Sequence, residues 1–563
     1  MEEDILAFAL QNALEHDGRA SIGPVMGKVM AFFPELKNNP RSTSAIVRRI
    51  VEEVNSLSMD QQRERLTEIG GPIELGKRER KTGLPELKGA VPGNVVMRFA
   101  PGPSGPLHLG HTRAAILNDE YCRMYGGRFI LRLEDTNPEK IDPSAYDMIP
   151  EDLEWLGVNV HETFVQSDRF DIYYDITKRL IEKGAAYVCT LDTEIWRELK
   201  LNGRPCGERY LPPDEQLGKW ERMLEGGYSE GEASVVIKTN LGHKNPAVRD
   251  FVGMRIKDEP HPRTGDRYRV YPLYNLSVAI DDHLMGCTHI LRGKDHLNNT
   301  LRQEYIYGHM DWSLPEFTHY GLVSIPDSIL KTSIIREEIA TGKYSGWSDV
   351  RLGTLQALAA RGFDPRSLRD YWVETGIKSV DISFSWETLY AKNRSLIDAE
   401  ARRFFFVPSP VRISFEHDEE LHAKVPLHPE RPELGFRTHV VRPEEGKIDL
   451  FIPGDDLEGS EPGSLLRLKD LCNIEMKGRD GRMFDFAGTD PGIVRGGKGR
   501  IVQWVGRNAS PMIVHTPEGS VMEGLVEEGM ENYAEDGDVV QFERIGYCRI
   551  FHDDGLRANL THP

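Results

Sequence analysis

The sequence predicts a multidomain α/β protein, and three observations carry that expectation. A strand, a Pro/Gly turn and a helical pattern follow one another between Val95 and Tyr125, residues 1–90 have a purely helical periodicity, and short β runs divided by turns fill the chain beyond Val407. With 563 residues and about 100–200 residues per domain, the chain is long enough for roughly three to five cores. A composition of 39% hydrophobic and 28% charged residues is that of an ordinary globular protein and excludes global disorder. No uncharged stretch is long enough to span a bilayer, which excludes a membrane-embedded protein. The 70 Lys+Arg against 89 Asp+Glu leave a formal charge of −19. That argues against indiscriminate polyanion binding and still permits one basic face for a nucleic acid. Six scattered cysteines and the acidic start Met1-Glu2-Glu3-Asp4 point to reduced thiols and a cytoplasmic location.

Taken in order, residues 1–90 form an N-terminal helical domain. Ile46, Val47, Ile50, Val51 and Val54 recur at helical spacing, opposite Arg48, Arg49, Glu52 and Glu53. These helices are the candidate surface for a protein partner. Lys77-Arg78-Glu79-Arg80-Lys81-Thr82-Gly83-Leu84-Pro85 reads as an exposed linker. Residues 91–190 open an α/β domain: strand Val95–Phe99, helix from about Thr112 to Tyr125, strand Arg128–Leu133, then helical stretches Glu151–Leu156 and Tyr173–Lys183. Residues 191–290 break this rhythm with Gly-rich turns and isolated strands such as Ala233–Lys238, the texture of an inserted module. Strand signals resume at Tyr271–Ile280 and Thr288–Leu291, and 291–349 return to the α/β domain. Residues 350–406 are a helical connector with Leu352, Leu355 and Leu358 on one face. In 407–563 the runs Gly435–Val441, Ile448–Ile452, Arg500–Val505 and Asp538–Phe542 favour β-barrels. Segment 511–563 carries 11 acidic and 3 Lys/Arg residues, so it faces solvent rather than phosphate.

The chemistry concentrates in the turn Pro101-Gly102-Pro103-Ser104-Gly105-Pro106-Leu107-His108-Leu109-Gly110-His111, which delivers two histidines to a helix start directly after a strand. A helix N-terminus offers unpaired N–H groups and positive dipole, so a nucleotide phosphate docked there meets donors from backbone and imidazoles. Gly110 lets such a ligand approach the backbone closely.

This segment resembles the His-Ile-Gly-His signature of class I aminoacyl-tRNA synthetases, with Leu109 in the isoleucine place. Arg98-Phe99-Ala100-Pro101 before it, Leu131-Arg132-Leu133-Glu134-Asp135-Thr136-Asn137-Pro138 after it, and the stretch from Tyr271-Pro272-Leu273-Tyr274 through Arg292-Gly293-Lys294-Asp295 resemble the glutamyl and glutaminyl branch of that class. The helical extension and β-rich C-terminal region are similar to the archaeal and eukaryotic type of the glutamyl branch. The resemblance implies a Rossmann-like catalytic domain in two halves (91–190 and 291–349), an acceptor-end module at 191–290 and an anticodon-reading β-barrel region at 407–563. It also implies ATP-dependent attachment of L-glutamate to the 3′ end of tRNA(Glu) through a glutamyl adenylate. Whether tRNA(Gln) is also charged stays open.

By that resemblance ATP, brought in with Mg²⁺, contacts Ala100, Pro101, Gly102, Ser104, Gly105, His108, Leu109, Gly110, His111 and Lys331. His108, His111 and Lys331 carry catalysis. Lys331 enters from Ser328-Ile329-Leu330-Lys331-Thr332-Ser333, which is similar to the Lys-Met-Ser-Lys-Ser signature with Ser328 for its first lysine and Leu330 for its serine. A glutamate substrate brings two carboxylates and an ammonium into a partly desolvated pocket, and each needs an opposite charge. The resemblance assigns Arg98 to the side-chain carboxylate, Glu134 to the ammonium, Tyr274 to an aromatic wall and Arg292 to a second carboxylate contact. Val278 stands where bacterial relatives carry an asparagine. Some relatives hold zinc through Cys-x-Cys and Cys-x-His. Here Cys189 and Cys206 are accompanied by Leu191 and Glu208, so no zinc is expected. Arg495-Gly496-Gly497-Lys498-Gly499-Arg500 lacks Walker spacing and reads as a hairpin tip on RNA backbone. A glutaminyl-tRNA synthetase, a catalytically inactive RNA-binding scaffold and a small-substrate nucleotidyltransferase remain the alternatives at this point.

Overall fold

The computed structural model describes residues 2–16, 18–33, 40–71, 83–326, 328–478, 482–492, 499–553 and 555–563. The linker at 77–82 and the Arg495–Lys498 tip lie outside the described residues. The chain divides into two units, Met1–Thr82 and Gly83–Pro563.

The first unit packs helices Glu2–Glu15, Ile22–Phe32, Pro40–Asn55 and Met59–Glu68. Ile5, Phe8 and Leu10 meet Val25, Val29, Val47, Ile50, Val51 and Val54 in its core, with Ile46 at the edge. The last helix starts in a capping box: Gln61 N donates to Ser58 Oγ at 3.4 Å, and Ser58 N donates to Gln61 Oε1 at 2.9 Å.

The second unit begins with a parallel sheet. Glu162–Val165, Arg128–Leu133 and Val96–Phe99 lie side by side in that order, and His289–Gly293 pairs in parallel with Glu316–Tyr320. The two groups join at Thr288, whose N donates to Val96 O at 2.9 Å and whose Oγ1 accepts from Val96 N at 2.9 Å. Chain order therefore reverses between Val96–Phe99 and His289–Gly293, the place where open α/β sheets bind ligands beyond their strand ends. The Val96–Phe99 and Arg128–Leu133 strands are buried apart from Arg128, as strands covered on both faces must be. Arg98 and Arg132 are thus buried charges that need partners.

An antiparallel sheet of Ala186–Cys189, Ser234–Ile237, Phe251–Ile256 and Val270–Pro272 forms the inserted module. The expected strand over Tyr271–Ile280 ends at Pro272, and Tyr274–Leu284 is a helix. The misreading has a physical cause. Every residue from Asn275 to Asp282 is buried, so the helix shows no polar stripe by which its period could be read.

The connector comprises helices Leu355–Arg361, Pro365–Thr375 and Trp386–Ile397. Beyond it stand two sheets that close on themselves. In the seven-stranded sheet, Arg403–Phe404 and Phe406–Pro408 occupy opposite edges although Phe405 alone separates them, so the sheet curls into a barrel. In the six-stranded sheet, the edge strand Lys447–Pro453 reaches Val505, just past the opposite edge strand Gly499–Val502, through a Phe451–Val505 bridge. Among the described residues no helix is long and apolar enough to cross a membrane.

Candidate active site

The helix Leu109–Tyr125 starts three residues earlier than its apolar pattern suggests, because His108 caps it. His108 is extended (φ −135°). Its Nδ1 accepts from Gly110 N at 3.0 Å, while His111 Nδ1 accepts from His108 N at 3.2 Å. Both Nδ1 atoms being acceptors, each neutral ring carries its proton on Nε2. The rings stack at 3.8 Å with a 25° interplanar angle. Burial pushes His108 down to about 4 and His111 well below its ordinary value, with the neighbouring His108 adding to the latter. Near neutral pH the pair is uncharged and presents two N–H donors beside the helix N-terminus.

Two glycines of this turn have specific jobs. A Cβ on Gly110 would sit 2.8 Å from His108 Cε1, so the glycine makes room first of all for its own cap. Gly105 is buried at φ +146°, with Thr332 and Trp347 each 3.3 Å from where a Cβ would be. The turn is tied down by Asp152 Oδ2, which accepts from Leu107 N at 2.6 Å. Burial pushes the Asp152 carboxyl up to about 7.

Beside the turn, strand-end arginines and acids form a ladder. Arg98 donates through Nε and Nη2 to the two Asp282 oxygens at 3.1 and 3.2 Å. Arg132 Nη1 donates to Asp282 at 2.7 Å, and its Nε and Nη2 donate to Glu134 Oε1 at 3.2 and 2.9 Å. Asp281 completes the ladder, accepting from Arg169, Gln166 and Tyr173 at 2.6–2.9 Å. Burial alone would raise the Asp282 carboxyl, but Arg98 and Arg132 overcome it and hold it at about 2. Glu134 is raised because burial outweighs the two arginines.

Arg292, on the neighbouring strand, is different. It is 5% exposed, yet its partners are neutral: Tyr274 Oη at 3.3 Å, Thr300 Oγ1 at 2.7 Å and Gln303 Oε1 at 2.8 Å. Its Nε has no hydrogen-bond partner among the described residues. Burial lowers its pKa and depresses His319 to about 4, the latter with help from the Arg292 charge. Arg98, Glu134, Tyr274 and Arg292 lie close enough together for Tyr274 to feel the charges of the other three. The positive charge left over in this group rests on Arg292, since Arg98 is already matched by Asp282.

Lys331 is exposed and directly precedes the helix Thr332–Ala340. That helix leans on the histidine turn through Thr332 Oγ1 and Ser104 Oγ at 3.2 Å and through Arg336, which donates to Ser104 O at 2.6 Å and to Asp142 at 3.1 Å. Ala100, Pro101, Gly102, Ser104 and Leu109 line the same turn. Val278 is buried in the helix that carries Asp281 and Asp282.

Cys189, Cys206 and Glu208 come together, their ligand atoms within 4.8 Å of one another. The fold thus sets the Glu208 carboxylate beside the two thiols as a third donor. Glu208 is already engaged, accepting from Thr190 N at 2.8 Å and Thr190 Oγ1 at 2.6 Å and pairing with Lys219. An ammonium thus faces the carboxylate that a metal would need.

Asp152, Asp281, Asp282, Arg132 and Arg336 were not singled out as functional from the sequence. The Asp281-Asp282 pair, adjacent carboxylates in an apolar run, was the one legible signal. Together these features define a nucleotide-handling α/β domain: neutral imidazole donors at a helix start, next to a buried and uncompensated cation. Comparison with known proteins sharpens this. A family model for class I tRNA synthetases (E and Q), catalytic domain, matches residues 94–399, and models for the anti-codon binding domain of that family match 401–486 and 501–551. The glutamate–tRNA ligase of Thermoplasma volcanium is 46% identical over 563 residues, covering 100% of both chains. That of Methanopyrus kandleri is 45% identical over 561 residues (99% of this chain, 98% of the relative), and that of Methanothermobacter thermautotrophicus 48% over 552 residues (98% and 97%). The chain belongs to the class I tRNA synthetase family of the E and Q type.

Proposed function

We propose that this chain attaches L-glutamate to the 3′ end of tRNA(Glu), using ATP, as a cytoplasmic enzyme. The observation that carries the amino acid assignment is the buried Arg292 guanidinium without a carboxylate partner. A buried cation is costly unless an anion joins it, and a γ-carboxylate supplies that anion where the amide of glutamine does not. The relatives named glutamate–tRNA ligase support the same reading.

In this reading the glutamate side chain lies between Arg292 and Arg98, whose Nε and Nη2 already hold Asp282. Its ammonium meets Glu134, whose Oε1 is held by Arg132. ATP phosphates lie at the His108 helix start, and the Nε2–H groups of His108 and His111 donate to the charge that grows on phosphate oxygen. Lys331 adds a cation from the facing helix start. The α-carboxylate attacks the α-phosphorus and pyrophosphate leaves. A terminal ribose hydroxyl of tRNA then attacks the acyl carbonyl and AMP leaves. Neither step needs a protein nucleophile. Among the described residues, metal-ligand groups cluster at Cys189, Cys206 and Glu208, within the inserted module. Mg²⁺ would arrive bound to ATP and offset phosphate charge there.

The β-barrels supply the far end of the tRNA contact. A cavity of about 240 Å³ between them is lined by Arg437, His439, Trp504, Glu527 and Tyr533. Charging of separately purified glutamate and glutamine tRNAs with labelled glutamate or glutamine tests the proposal. Glutamate on tRNA(Glu) is expected. Glutamine alone on tRNA(Gln), or tRNA binding with no charging of either, would overturn it.

A further inference from the structure

We infer that Arg336 is a positioning residue for ATP: it clasps the Lys331 helix onto the ATP turn, so that the lysine is held over the nucleotide before the nucleotide binds. The inference rests on the functional reading above and deepens it for the second signature, which here lacks its first lysine.

Contacts of Arg336 and Thr332 with the turn define the clasp. Arg336 Nη2 donates to Ser104 O at 2.6 Å and to Asp142 Oδ2 at 3.1 Å. Asp142 is tied into the same turn, its N donating to Pro103 O at 2.8 Å, and its Oδ1 accepts from Ser144 N at 3.0 Å. Thr332, directly after Lys331, meets Ser104 Oγ at 3.2 Å and covers Gly105. Ser104 and Arg336 are 232 residues apart in sequence, so nothing local enforces this contact. Downstream the segment is fixed as well: Leu109 N donates to Gly353 O at 3.0 Å and Leu355 N to Leu107 O at 2.9 Å. Residues 332–336 and 353–355 are therefore two fixed points on one turn, and the exposed Lys331 sits at the edge of the first.

A guanidinium suits the task. Its one Nη2 bonds a carbonyl and a carboxylate at once, held in place by the planar group, which a lysine ammonium on its flexible stem does with less geometric control. The Arg336 side chain is 43% exposed and Asp142 16%, so the clasp can release without unfolding the domain. Pre-closing the lysine helix removes from ATP binding the cost of ordering it.

The test is binding of a non-hydrolysable ATP analogue, followed by steady-state charging, for wild type, Arg336→Ala, Arg336→Lys and Asp142→Asn. Arg336→Ala is expected to weaken the analogue about tenfold and to raise KM for ATP by a similar factor, while KM for glutamate stays within about twofold. Arg336→Lys should recover part of the loss. Asp142→Asn alone should weaken the analogue less, and in its background Arg336→Ala should cost less than in wild type. Equal analogue affinity in wild type and Arg336→Ala, or parallel rises in KM for ATP and glutamate, would overturn the clasp. If Arg336→Ala misfolds, the Asp142→Asn and Arg336→Lys arms decide by the same comparison. A wild-type protein that binds no ATP analogue would instead overturn the functional reading itself.

Discussion

Replacing Asp282 by alanine should unfold the catalytic domain far more easily than any surface change. The carboxylate is 2% exposed and is the shared partner of Arg98 (5%) and Arg132 (0%). Without it two guanidinium groups face one another in the sheet, with Glu134 and Asp281 left to balance them. Removing one partner of a buried ion pair costs about 3–5 kcal/mol. The native pKa gives a second, smaller magnitude. Holding the carboxyl at about 2 against an ordinary value near 3.9 corresponds to about 2–3 kcal/mol, the worth of ionisation alone, without the lost hydrogen bonds and the cavity. Because the native pKa is depressed, this stability is present in full above the unfolded value and is lost only as pH falls toward about 2. The deficit of the variant should therefore be constant between pH 7 and pH 5.5. Urea unfolding of the full chain, followed by near-UV circular dichroism at both pH values, measures it. A pair swap, Arg98→Met with Asp282→Leu, should regain much of the stability but not the affinity for glutamate. An Asp282→Ala variant within about 0.5 kcal/mol of wild type, or a deficit that changes between the two pH values, would refute the ladder as the support of the site.

Other consequences follow from the same geometry. Gly110→Ala forces the His108 ring off its cap and should lower kcat of ATP–pyrophosphate exchange about a hundredfold, the scale for losing one transition-state donor, with little change in melting temperature; retained activity would show that the cap is dispensable. His108 and His111 are neutral near pH 7, and since native His108 protonates at about 4, neither ring should place an acid limb on kcat/KM between pH 6 and 8; a limb in that range that disappears in His108→Asn would contradict this. Asp152 has a raised native pKa of about 7, so the folded state holds the extra proton and stability falls as pH rises from about 4 to 7. Asp152→Asn, which can still accept from Leu107 N, should gain on wild type by about 1–3 kcal/mol at pH 8, and a loss at that pH would reverse the assignment. Extraction with a zinc chelator should leave the melting temperature and charging unchanged, because Lys219 already balances Glu208; release of one zinc per chain with loss of structure would show that Cys189, Cys206 and Glu208 hold metal.

What could be read from the sequence was whatever is local. The strand, turn and helix around His108 follow from apolar runs and Pro/Gly punctuation, and the amphipathic stripe from Ile46 to Val54 faces a core as its spacing requires. Signals failed where burial is complete. The helix carrying Asp281 and Asp282 has no polar face and passed for a strand. Partners set by the fold were equally invisible: Arg98 and Asp282 are 184 residues apart, and no pattern in either segment points to the other. Arg98, which the resemblance assigns to the side-chain carboxylate, has most of its fork already occupied by Asp282. Glu208 was read as a broken ligand pair, whereas the fold sets it beside both thiols and gives it Lys219 as a counter-charge.

The measurement that bears most directly on the central claim is the ratio of kcat/KM for charging with glutamate over glutamine, in wild type and in Arg292→Gln. The uncompensated Arg292 charge predicts a large ratio in wild type that collapses by two or more orders of magnitude in Arg292→Gln, chiefly through loss of glutamate, as expected when a buried charge-assisted contact of about 3 kcal/mol is removed. A ratio unchanged by the substitution, or a wild-type enzyme that accepts both amino acids equally, would contradict it.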